Sequence, residues 1–172
     1  MTPAQWNRLL RVGLEALRAT NPTRRVLIGP AAMGTIAGLA SLDLPADPHV
    51  VATIHHYEPL RFTHQGARWE AGSAEWLGTN WGTTEDEQDR RAQLEAAAAW
   101  ANERAVSLVL GEFGTYEQAD LHARVRWTRS VRMEAERLEM AWCYWDFASD
   151  FGVFEPSSGT WHIPLRDALL GH

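Results

Sequence analysis

Residues 108 to 116 read LVLGEFGTY, an apolar run that ends in one carboxylate, Glu112, with Gly111 before it and Gly114 shortly after. A glutamate at the end of a strand that reads as buried fits two roles. It is either a structural acceptor for a neighbouring arginine or a group withheld from bulk water so that it can act on a substrate. Two other apolar runs end in polar or aromatic groups: VVATIHHY at residues 50 to 57, closing on His55, His56 and Tyr57, and MAWCYWDF at 140 to 147, closing on Trp145 and Asp146. If the three runs are parallel neighbours, their ends bring a carboxylate, imidazoles, a phenol and an indole to one place. A metal reading of His55, His56 and His64 fails because no carboxylate or cysteine completes a convincing ligand set. Glu58, Glu117 and Asp146 read as solvated or capping residues.

The elements that would position these groups alternate. Residues 4 to 19 place Trp6, Leu9, Leu10, Gly13, Leu14 and Leu17 on one face, with Thr2 as a cap and Pro3 at the first helical position. Strands follow at about 25–29, 50–57, 106–112 and 140–147. A weak helix of small residues at 34–42 separates the first two, and a long loop bearing Trp69, Trp76 and Trp81 leads from the second towards Thr84. Helices at 85–104 and 118–139 separate the rest, and a short helix follows Pro164. Strands alternating with helices predict a parallel sheet and an α/β fold, with strands apolar throughout. Cys143 is expected to be a small buried hydrophobe in its aromatic run. Trp142 is expected in the core, opposite in phase to Cys143. No glycine fingerprint for phosphates follows any strand, so no cofactor is expected.

Composition narrows the partners. With 172 residues, 45% hydrophobic and 22% charged, the chain has material for one sizeable core. A net charge of −6 with no Lys/Arg cluster argues against nucleic acid and against an anionic membrane surface. A single cysteine excludes an internal disulfide framework and leaves the redox compartment open. No stretch approaches the length of a membrane span, and MTPAQWNRLL lacks the basic flank and apolar core of a signal peptide. Nine tryptophans stand against three tyrosines and five phenylalanines, so some must lie outside the core. On the loop, Trp69, Trp76 and Trp81 either pack it onto its own domain or offer flat rings to a flat apolar ligand face such as a sugar.

Three segments carry a family resemblance: IHHYEPLRFTHQGARW at 54–69, LGEFGTY at 110–116 and WCYWDFASDFGVFEP at 142–156. Together with the opening TPAQWNRLL they resemble the second half of glycoside hydrolase family 5, the retaining endoglucanases and their relatives. The resemblance implies half of a (β/α)8 TIM barrel, strands five to eight, with residues 1–172 as a single half-barrel domain. It implies that Glu112 is the nucleophile, that His55 and Tyr57 line the site with Tyr57 hydrogen-bonded to Glu112, and that Trp145 is the platform under the sugar to be cleaved. His64, Trp69 and Trp81 are candidates for substrate contact, with at most one or two of the loop tryptophans expected to touch sugar. The implied substrate is a β-glucan or related polysaccharide. Members are usually secreted, which leaves localisation open.

Retaining hydrolysis needs two carboxyl groups about 5 Å apart. In the family the acid/base glutamate lies in an Asn-Glu-Pro motif directly before the helix with which this sequence opens. The one Asn-Glu pair, Asn102-Glu103, falls near a helix end and is followed by Arg104, so it is no substitute. The expectation is an endoglucanase-type half-barrel whose open edges pair with a second copy. The alternatives are a silent glucan-binding half-barrel and a folding unit without activity of its own.

Overall fold

A computed structural model of the chain describes residues 1–171. Helix α1 runs from Pro3 to Arg18. It starts there because Thr2 and Gln5 form a reciprocal capping box ahead of the helix-compatible Pro3. Strand β1 (Val26–Ile28) follows, then a six-residue 3₁₀ segment, Ile36–Ser41, where the small residues predict a weak helix. Strand β2 is Val50–His56 and is followed by one turn of helix, α2 (Leu60–Thr63). Helix α3 (Thr84–Glu103) is opened by a Thr83–Asp86 capping box, with Glu85, Asp86 and Glu87 in its first turn where the helix dipole favours them. Strand β3 (Leu108–Phe113) leads to α4 (Leu121–Arg137), capped by Asp120 through the Ala123 amide. Strand β4 is Ala141–Trp142, and an antiparallel pair, β5 (Phe154–Glu155) with β6 (Thr160–Trp161), precedes α5 (Ile163–Leu170).

Strands β1 to β4 form one sheet in sequential order, every neighbour parallel. Burial alternates along it. On β2, Ala52 and Ile54 are fully buried while Val51, Thr53 and His55 are partly exposed. The buried face packs on α3 and α4 through Leu94, Leu110, Phe113, Trp127 and Val131. Among the described residues no layer packs on the other face: Leu27 is 59% exposed and Cys143 is exposed. That corrects the expectation of strands apolar on both sides and of a buried Cys143. The cysteine follows an edge strand on the uncovered face, so its aromatic neighbours lie behind it.

Strand β4 is much shorter than the 140–147 run predicts. Only Ala141 and Trp142 pair in register with Val109 and Leu110. Beyond them the chain stays beside β3 through Cys143 N–H to Leu110 O and Trp145 N–H to Phe113 O, both 2.9 Å. Among the described residues no helix is long and apolar enough to cross a membrane.

His56 points into the helix layer, 1% exposed, its ring parallel to Trp127 at 5.9 Å. Burial, aided by the nearby Arg90 charge, lowers its pKa to about 4. In the unfolded chain a histidine titrates near 6.5. Between pH 6.5 and 4 the unfolded state therefore binds more protons, and stability falls as pH drops through that window while remaining full above it. The total loss is about 3 kcal/mol. Replacing His56 by phenylalanine should flatten this acid limb. Urea midpoints measured from pH 4 to 7 check it, and equal slopes in both chains would refute it.

Candidate active site

Glu112 reaches the open face through an irregularity. The β2–β3 register runs Ile54 with Leu110 and then His55 with Glu112, so Gly111 has no opposite number. The extra residue breaks the alternation of β3 and places Glu112 beside His55, the kind of re-aiming that bulges perform near active sites. A side chain there would crowd the neighbouring strand: a Cβ on Gly111 would lie 2.4 Å from Thr53 Oγ1, so the hydroxyl would have to move.

The Tyr57 hydroxyl donates to Glu112 Oε2 at 3.0 Å, and His55 Nδ1 lies 3.3 Å from the same oxygen. Burial first, and then the charge and hydrogen bond of Glu112, push the Tyr57 hydroxyl well above the ordinary phenol range. It stays protonated and remains a donor. Both side chains of the His55–Glu112 pair are a little over one quarter exposed, so the carboxylate is sheltered yet reachable.

An aromatic wall continues from this pair. Tyr57 meets His64 edge-on at 5.0 Å, His64 meets Trp69 and Phe151, and Trp69 stands edge-on to Tyr116. The Thr63 hydroxyl donates to Tyr57 O at 2.5 Å, so its 2.9 Å contact with His64 Nδ1 makes that ring nitrogen the donor and leaves Nε2 as the acceptor. Burial lowers the His64 pKa against the opposing pull of Glu70 and Glu58, which favours the neutral ring. Trp145 is 47% exposed. His64, Trp69, Phe151 and Trp145 line one cleft of about 1130 Å³ together with His55, Tyr57 and Glu112, with Glu58, Glu70 and Asp150 as its further carboxylates.

Sequence reasoning brings His55, Tyr57, His64, Trp69, Glu112 and Trp145 to this cleft, and the structure places all six there. Trp81 is a correction. It is 2% exposed inside the main core, because the chain has already turned inward two residues before the Thr83 cap of α3. A ring so enclosed cannot stack on a sugar. Trp76 is half-buried on a 3₁₀ turn. Phe151 and Thr63 were not singled out from sequence. Phe151 lies in the quoted 142–156 segment, directly after Asp150.

A sequence model of the cellulase family, glycosyl hydrolase family 5, matches residues 1–150. The chain belongs to glycosyl hydrolase family 5. Endoglucanase H of Acetivibrio thermocellus is 30% identical over 163 residues, covering 91% of this chain and 17% of that protein. Endoglucanase 3 of Fibrobacter succinogenes is 24% identical over 186 residues, covering 90% of this chain and 28% of that protein. Among solved structures, Thermotoga maritima Cel5A in complex with cellobiose superposes with a TM-score of 0.96 at 37% identity. That match covers 98% of this chain and 55% of Cel5A. The family 5 fold is an eight-stranded barrel, and the four parallel strands seen here fit half of it. The chain thus spans about half the length, or less, of the family 5 relatives it matches.

Proposed function

We propose that these residues form the nucleophile-bearing half of a retaining β-1,4-glucan hydrolase site. The carrying observation is that Tyr57 and His55 both engage Oε2 of Glu112, which leaves Oε1 as the oxygen that attacks. In the first step Oε1 bonds to the anomeric carbon as the bond to the leaving oxygen breaks, giving a glycosyl-enzyme ester. In the second, water cleaves that ester with net retention. Trp145 and Trp69 offer exposed rings for pyranose faces, and the cellobiose bound in the Cel5A complex is the ligand class they suit.

The second carboxyl group must protonate the leaving oxygen from about 5 Å away. The nearest local candidate by sequence, Glu58, is occupied in accepting the Leu60 amide at 3.1 Å. The acid then comes from whatever half-barrel pairs with the edges of β1 and β4. A second copy of this chain is the proposed occupant, bringing the partner's Glu112 to the barrel mouth as the second carboxyl group, and it is supported by unpaired edges and by exposed Leu27 and Cys143 on the face a barrel would enclose.

One experiment tests both parts. The chain is incubated with an activated aryl 2-deoxy-2-fluoro-β-cellobioside, whose leaving group needs little protonation, across a concentration series followed in parallel by light scattering. The expected result is a covalent adduct mapped to Glu112, with light scattering showing a dimer across the series. No adduct at any concentration would overturn the nucleophile role, and full labelling of a stable monomer would overturn the pairing.

A further inference from the structure

Between β1 and the 3₁₀ segment the chain makes a costly bend. Three consecutive residues, Ala32, Met33 and Gly34, have left-handed backbones with φ of 60°, 59° and 75°. Alanine and methionine rarely adopt that conformation, and such strain persists where the surroundings over-determine it. Packing of Met33 is not the reason, because its side chain is 87% exposed. What the bend delivers is contact with His55. Gly34 O accepts the His55 amide at 2.8 Å, and Thr35 bridges to His55 where the β2–β3 register breaks. The bare Cα of Gly34 also lies against the imidazole: a Cβ built there would sit 3.0, 3.1 and 3.2 Å from Cγ, Nδ1 and Cδ2.

We infer that Gly34 is a positioning residue for His55: the strained loop holds the imidazole flat against its glycine so that Nδ1 faces Glu112. The bulge at Gly111 frees His55 from regular pairing with β3, and the loop replaces that constraint from the other side. The inference rests on the proposed role of Glu112 for its kinetic consequence, but its structural core is the Gly34–His55 contact.

The test compares the wild-type chain, Gly34→Ala, His55→Ala and the double variant. Two readouts are taken: the rate of Glu112 labelling by the fluoro-cellobioside, and the His55 imidazole resonances by NMR, assigned by their loss in His55→Ala. Gly34→Ala should slow labelling by roughly ten- to a hundredfold, the scale of a small misplacement of a reacting group. It should shift the His55 resonances, and it should add no further slowing when His55 is already alanine. A merely structural glycine would slow both backgrounds equally, because the cost of a left-handed alanine does not depend on the ring. Equal slowing in both, or wild-type labelling with unmoved resonances, would overturn the inference. If the wild-type chain forms no adduct, the resonances decide alone. A shift in Gly34→Ala upholds the positioning and removes the nucleophile role, and no shift removes the positioning.

Discussion

Glu112→Gln should lower turnover of an activated aryl cellobioside by roughly four orders of magnitude or more, the scale at which removal of a covalent nucleophile is felt. That corresponds to about 5 kcal/mol of transition-state stabilisation. Glutamine keeps the shape of glutamate and an oxygen that can accept from Tyr57, so the bonding that orients the side chain survives. What is lost is the negative charge and the lone pair that attacks. Thermal unfolding should therefore shift little, and the split between rate and stability is the signature. Steady-state rates and melting curves on mass-verified protein check it. Turnover that persists in the variant would move the nucleophile to another cleft carboxylate, Glu70 or Asp150.

The measurement has the same logic in the chain itself. Tyr57 and His55 come from one strand and Glu112 from its neighbour, so their meeting on one oxygen depends on the β2–β3 register. An isolated Gly-Glu pair in a sequence says nothing about register. The combination of H-x-Y at 55–57 with G-E-F-G at 111–114 brings both groups to the ends of adjacent strands, and the bulge at Gly111 sets the register in which they meet.

Much of the architecture was legible for that reason. The helix starts were written in local capping chemistry: Thr2 with Gln5 and Pro3, and acidic residues opening α3. Strand alternation with helices predicted a parallel sheet, and a parallel sheet puts strand ends at one rim. The misses follow from features that a linear pattern does not encode. Cys143 and Trp81 were assigned opposite environments to those observed, since burial depends on which face another layer covers. Apolar character alone could not show that the open face near Leu27 and Cys143 lacks a layer. The bulge at Gly111 and the β5–β6 pair were also invisible, because one unpaired residue and two-residue strands leave no period to count. The His55 contact with Gly34 is longer-range still, made by a loop whose sequence, PAAMGT, reads only as small and irregular.

The second glycine of the motif carries the other large expectation. A Cβ on Gly114 would lie 1.9 Å from the carbonyl oxygen of Trp145, 3.1 Å from its carbonyl carbon and 3.2 Å from the ring of Phe151. Contact between non-bonded atoms becomes favourable only near 3.5–4.0 Å. The offending atom is backbone, so no rotamer change relieves it. Gly114→Ala must therefore push the Trp145 segment off β3, straining the 2.9 Å bond from Trp145 N–H to Phe113 O. Overpacking costs typically 1–3 kcal/mol, and a broken hydrogen bond about 1 kcal/mol more. The combined loss, roughly 2–4 kcal/mol, should appear as a lower urea midpoint. Gly13 is the control: it lies within α1 with nothing within 4 Å of an added Cβ, so alanine there should stabilise by up to about 1 kcal/mol. Because Trp145 is an exposed ring lining the same cleft as Glu112, Gly114→Ala should also weaken cellobioside binding at temperatures where the variant is still folded. A variant with unchanged midpoint and affinity would show that the strand exit is free to move, and the rigid link from the Gly-Glu-Phe-Gly turn to the tryptophan platform would then be wrong.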